Sequence, residues 1–102
     1  MQAVGREQPV VGLAQMELWI AASASLKDRR RVVRSVVDRL RARFNCAVME
    51  LAVPGGWQRA RVAVACVAGS EAGARELLTA VRRTVEQNPD AELTAFEVSI
   101  FP

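Results

Sequence analysis

Residues 10–20 read Val-Val-Gly-Leu-Ala-Gln-Met-Glu-Leu-Trp-Ile, and the side chains alternate in kind along the run. Val10, Gly12, Ala14, Met16, Leu18 and Ile20 form one set, wholly apolar or small, while Gln15 and Glu17 stand in the other set with Val11, Leu13 and Trp19. A two-residue period with one apolar side predicts a strand lying on a core. The period recurs at Arg59–Ala68 (RARVAVACVA), with Val62, Val64 and Cys66 on one face and Arg59, Arg61, Ala63 and Ala65 on the other. It recurs again over Glu92–Phe101, where Phe96, Val98 and Ile100 face inward. Cys46–Val53 predicts a further short strand in which Glu50 fits either face.

Between the strands the period changes to that of a helix. Ser25 is placed to cap a helix, with Asp28 three positions on answering as in a short capping box. Leu26, Val33, Val37, Leu40 and Phe44, flanked by Val32 and Val36, then recur at helical spacing up to Asn45. Ser70 caps a second helix over Glu71–Gln87, with Ala74, Leu77, Leu78, Val81 and Val85 as its inner stripe and Asn88-Pro89 as its stop. Pro54-Gly55-Gly56 predicts a turn. The order β-α-β-β-α-β, with right-handed crossovers, predicts an α+β fold. It is a ferredoxin-like βαββαβ sandwich, a four-stranded antiparallel sheet with two helices on one face.

A chain of 102 residues, half apolar and a quarter charged, suits one globular domain over residues 1–102. Residues 1–9 read as a loose lead-in rather than a secretory signal, having no apolar stretch of their own. No apolar run approaches the ~20 residues of a membrane span, so a cytoplasmic location is the expectation, with no membrane partner. Cys46 and Cys66 lack metal-ligand spacing and read as small buried hydrophobes. The chain contains no histidine, which removes the commonest general base and metal ligand and every Ser-His or Cys-His nucleophile. The expectation is a protein that is not an enzyme, with no metal and no cofactor.

Activities hosted by small domains of this architecture need residues that are missing. A copper-carrying domain needs Cys-x-x-Cys in its first loop, and an acylphosphatase needs an arginine-bearing phosphate cradle there; this loop is Ala-Ala-Ser-Ala-Ser over residues 21–25. An RNA-recognition motif stacks bases on aromatic side chains of its central strands, and Arg59–Ala68 has no aromatic residue. Glu17 and Glu97 make a pair of carboxylates on the open sheet face if the first and last strands are neighbours. Solvated or arginine-paired surface acids are the favoured reading of them.

The charge is concentrated in one element. From Lys27 to Arg43 there are eight cations against Asp28 and Asp38, a net +6, so the rest of the chain carries −3. Lys27, Arg30, Arg31, Arg34 and Arg41 fall on one flank of the apolar stripe, and Arg29, Arg39 and Arg43 on the other. Cations in a first turn oppose the helix dipole, and no structural gain for Lys27, Arg29, Arg30 and Arg31 is evident from sequence. Lys27, Arg30, Arg31, Arg34 and Arg41 are therefore the candidate nucleic-acid contacts, with RNA or a ribosomal particle as partner. The plain structural alternative is a solvated face partly neutralised by Arg34–Asp38 and Asp28–Arg31 neighbours.

The open sheet face is the second candidate. Trp19, Met49, Leu51, Arg59, Arg61 and Phe101 are its candidate interface residues, and a homodimer is its expected assembly unless a loop or the lead-in covers it. Trp57-Gln58-Arg59 has two readings, a stacking platform for a base and, the favoured one, a tryptophan covering the end of the core.

Ser25-Leu26-Lys27-Asp28-Arg29-Arg30 resembles the Ser-Leu-Lys-Glu-Lys-Arg opening of helix one in the YlxP-like proteins, a bacterial family of unknown function. The likeness continues through Asp38-Arg39-Leu40-Arg41, Phe44-Asn45, Trp57-Gln58-Arg59 and Asn88-Pro89, covering the chain from about Val11 onward. Asp28 and Arg29 are charge-preserving departures, and Pro54-Gly55-Gly56 is less polar than that family's usual turn. The resemblance implies a ferredoxin-like fold and no established activity. Its members are often encoded beside translation-initiation and ribosome-maturation factors, an association that points toward RNA without supplying a mechanism.

Overall fold

A computed structural model describes Gly5 and residues 8–102; most of the lead-in over residues 1–9 lies outside the described residues. The elements run β1 (Val10–Trp19), α1 (Leu26–Arg43), β2 (Ala47–Leu51), β3 (Arg59–Ala68), α2 (Glu71–Glu86) and β4 (Glu92–Phe101). The four strands form one sheet in the order β2-β3-β1-β4, and every neighbouring pair is antiparallel. This is the ferredoxin-like βαββαβ arrangement, with α1 and α2 packed on the sheet face made by Ala14, Met16, Leu18, Val62, Val64 and Cys66. Val33, Val36, Val37 and Leu40 of α1 and Ala74, Leu78, Val81 and Val85 of α2 complete that core.

Both helix starts follow from their capping serines. The Ser25 hydroxyl accepts from the Asp28 N–H at 3.1 Å, and the Asp28 carboxylate accepts from the Ala24 N–H at 3.2 Å, one residue before the position that the capping box predicts. The Ser70 hydroxyl accepts from the Gly73 N–H at 3.0 Å. Gly55 (φ 78°) and Gly56 (φ 60°) take left-handed backbone in the β2–β3 loop, as the turn requires.

Three local expectations need correction. β2 is shorter than Cys46–Val53, because its ladder reaches only from Ala47–Ala65 to Leu51–Arg61 before the chain swings out toward Pro54. Leu26 is half exposed rather than part of the buried stripe, since the first turn of α1 overhangs the sheet beside the β2–β3 loop. In β4 the register shifts between Glu17 and Leu18 of β1, whose partners are Ala95 and Leu93. Thr94 is the extra residue, its hydroxyl donating to the Glu17 carbonyl at 3.2 Å. A bulge of this kind lets Leu93 and Phe96 both pack against the core, which strict alternation forbids.

Candidate functional site

The exposed flank of α1 carries Lys27, Arg30, Arg31 and Arg34 around one groove of about 350 Å³, with Asp28 the sole acid in its lining. These positions are three and four apart, so on a helix each cation neighbours other cations: Lys27 meets Arg30 and Arg31, and Arg34 meets the same two. Asp28 offsets little of this. Its carboxylate caps Ala24 and stands 3.8 Å from Arg31. Among the described residues Lys27, Arg30 and Arg34 enter no ion pair, and the pair expected between Arg34 and Asp38 does not form.

Arg41 is not brought to that groove. Its guanidinium donates to the Val48 carbonyl at 2.8 Å, satisfying an acceptor on the outer side of β2, which is an edge strand. Arg29 has the structural gain that sequence reasoning did not find. Its Nε donates to the Arg59 carbonyl at 2.7 Å and its terminal nitrogen meets the Glu50 carboxylate at 3.0 Å, with the side chain only 13% exposed. It is a clamp holding the start of α1 to the sheet end, formed by groups 21 and 30 residues away in sequence.

On the open face the register arranges the candidate residues in rows. Met49, Ala63, Gln15 and Glu97 form one row, and Leu51, Arg61, Glu17 and Ala95 the next. Glu17 and Glu97 are therefore diagonal rather than opposed, and Glu17 is paired with Arg59 at 3.1 Å. Arg61 donates to the Gln15 side chain at 3.2 Å. Trp19 and Phe101 lie at opposite ends of the face. Phe101 joins Val11 and Val67 in a row that the candidate set lacked, with Val67 69% exposed. The alternation of β1 and β3 already put both valines on this face.

Trp57 does not cover the core: it is half exposed and lines a cleft with Leu26, Arg29, Glu50, Gly55 and Gly56. The favoured reading of the Trp-Gln-Arg string is thereby overturned. Two glycines of left-handed backbone immediately precede Trp57, and its side chain stands half exposed beside them. Gln58 turns inward instead, donating to the Ala21 carbonyl at 3.1 Å.

Cys66 is buried and Cys46 half-buried. Extending the β2–β3 register by one residue puts them opposite each other, and they line one small depression. Burial pushes the Cys46 thiol above its ordinary value, the Cys66 thiol adds to the rise, and Arg41 opposes it. The thiolate is the reactive form, so the alkylation rate of Cys46 is expected to rise at more alkaline pH than that of a free thiol. Mass-spectrometric mapping after a pH series of iodoacetamide pulses checks this, with Cys66 silent until urea is added. Labelling of native Cys46 as fast as free cysteine contradicts it.

Among the described residues no helix is long and apolar enough to cross a membrane, and no group of three or more His, Cys, Asp or Glu side chains gathers to hold a metal. The family model described as "Protein of unknown function (DUF503)" matches residues 11–98. An uncharacterised protein of Bacillus subtilis, YlxP, is 28% identical over 85 residues, 83% of this chain and 92% of that protein. Among solved structures, the de novo designed protein Foldit4 superposes with a TM-score of 0.54 at 13% identity, covering 93% of this chain and 98% of that one. The designed ferredoxin-fold protein LFR1 1 gives a TM-score of 0.46 at 10% identity, over 89% of this chain and 83% of that one. These structural likenesses concern the fold alone.

Proposed function

This chain belongs to the DUF503 family of proteins of unknown function, and we propose that it is a non-catalytic cytoplasmic protein that binds RNA phosphates, in translation or ribosome assembly, through the exposed face of α1. The observation that carries this reading is the groove of Lys27, Arg30, Arg31 and Arg34, in which three of the four cations lack an ion-pair partner among the described residues. Like charges at three- and four-residue spacing destabilise a helix. A phosphate backbone laid along them relieves that repulsion and releases its own counterions. The test is RNA binding by fluorescence anisotropy across a salt series. Four neutralised phosphates on a single strand give a log–log slope of roughly −3; a flat response sinks the reading.

The exposed row Val11, Val67 and Phe101 favours a second reading, a homodimer through the open sheet face. Three strands of ten residues and one of five present a face of roughly 550 Å² in projection. A standard interface takes ~800 Å² of accessible surface from each partner, so such a dimer has to use the whole face. Arg61 and Glu17 stand side by side in one row of this face, so a copy related by a two-fold axis passing between them sets each against the opposite charge. Sedimentation at micromolar concentration is expected to show a dimer that Val67→Asp dissociates. A monomer in the unaltered protein rules this assembly out.

A further inference from the structure

We infer that the cleft beside Trp57 receives an unstacked nucleobase, so that the RNA partner is engaged as a single strand; this rests on the reading of α1 as the phosphate-binding face. The cleft has a volume of about 470 Å³ and opens where the β2–β3 loop passes the first turn of α1, a size within the range of small-ligand sites. Its two large apolar walls are solvent-facing: Leu26 is 50% exposed and Trp57 48%. Neither is used by the core. An exposed indole is a sequence-tolerant platform for a base, because every base has a π-face.

Position relative to charge selects this ligand over an apolar peptide. Leu26 directly precedes Lys27 and stands one helical turn before Arg30. A base held against Trp57 and Leu26 therefore has its flanking phosphates beside the open cations of α1. The floor of the cleft is already braced. Arg29 is held between the Arg59 carbonyl and the Glu50 carboxylate, so it shapes the wall and is not the phosphate contact. The loop from Ala52 to Trp57 enters none of the chain's turn and loop backbone hydrogen bonds among the described residues. Among the described residues its carbonyls and, Pro54 aside, its N–H groups are therefore open to a base edge. At Gly55 and Gly56 the space where a Cβ would stand is empty, leaving that side of the cleft open to a planar ring. A duplex keeps its bases stacked and cannot use the cleft; a single strand can splay one out.

Trp19→Phe leaves Trp57 as the only indole of the two in the chain, so emission from that variant reports on the cleft. A short single-stranded RNA is expected to quench it and a duplex of the same sequence to leave it unchanged. Trp57→Ala is expected to weaken single-strand binding roughly 5- to 150-fold, the loss of one stacked base. Its salt slope should stay that of the unaltered protein, and Trp57→Phe should restore most of the affinity. Trp57 lies on an exposed loop, so a circular dichroism melt of Trp57→Ala should match that of the parent. Salt-dependent binding that is insensitive to Trp57→Ala, with emission unquenched, overturns the cleft and leaves α1 standing. No salt-dependent binding of either RNA form overturns both.

Discussion

Replacing Lys27, Arg30, Arg31 and Arg34 together by alanine is expected to abolish RNA binding while making the protein more stable. The size of the loss follows from counterion release. With a slope of roughly −3, affinity falls about 50-fold between 50 and 200 mM salt, and the same relation carried to 1 M puts the electrostatic share at 50 mM at roughly 4,000- to 8,000-fold. The variant should lose that share, and its remaining binding should be nearly flat with salt. Stability should move the other way. Alanine has the highest helix propensity, the like-charge neighbours on the flank disappear, and Lys27 no longer opposes the dipole in the first turn of α1, where a cation costs roughly 0.3–1 kcal/mol at most. RNA affinity separates this reading from its plain alternative. A merely solvated face, on which Lys27, Arg30 and Arg34 are already without ion-pair partners among the described residues, would gain the same stability and leave RNA affinity where it was.

Arg29 and Arg30 show where the sequence stops being informative. They are adjacent and chemically identical, yet one is a largely covered clamp and the other an open cation. Helical angle separates their flanks, but only the return of Glu50 and Arg59 from later in the chain decides that one flank is occupied. The strands were legible for the opposite reason. β1 and β3 sit in the middle of the sheet with one face on the core, so burial writes a two-residue period into them, and their expected limits agree with those observed to within one residue. β4 lies at an edge, where the Thr94 bulge permits an inward Leu93 that the period does not announce. The cleft was half legible. Gly55-Gly56 declared a turn, but whether Trp57 then folds inward or outward depends on φ values that glycine leaves open. Arg41 was assigned by its helical flank alone, and the edge of β2 draws it away from the others.

Gly12 is a position at which the core should resist even one added methyl, and its coupling to Leu78 should be measurable. Its backbone is ordinary strand, so the glycine serves close approach rather than turning. A Cβ placed there would lie 3.0 Å from Leu78 Cδ1, 3.1 Å from Cys66 Sγ and 3.2 Å from Ala74 Cβ. Ala74 and Leu78 are fully buried on α2, so the contact sets how closely that helix lies on β1. Gly12→Ala should therefore destabilise by about 1–3 kcal/mol through overpacking. Leu78→Ala empties the same space from the other side and should cost about 2–5 kcal/mol, since the helix collapses only partly onto the void. For a domain of this length either change shifts the melting temperature by several degrees per kcal/mol. The double variant decides the cause. If the close approach of α2 is what excludes a side chain at position 12, the new methyl occupies part of the space left by Leu78. The pair should then cost less than the sum of the single losses by about 0.5–3 kcal/mol. Strict additivity in urea denaturation would mean that the two sites do not share that space, and that the role of Gly12 in seating the helix is misassigned.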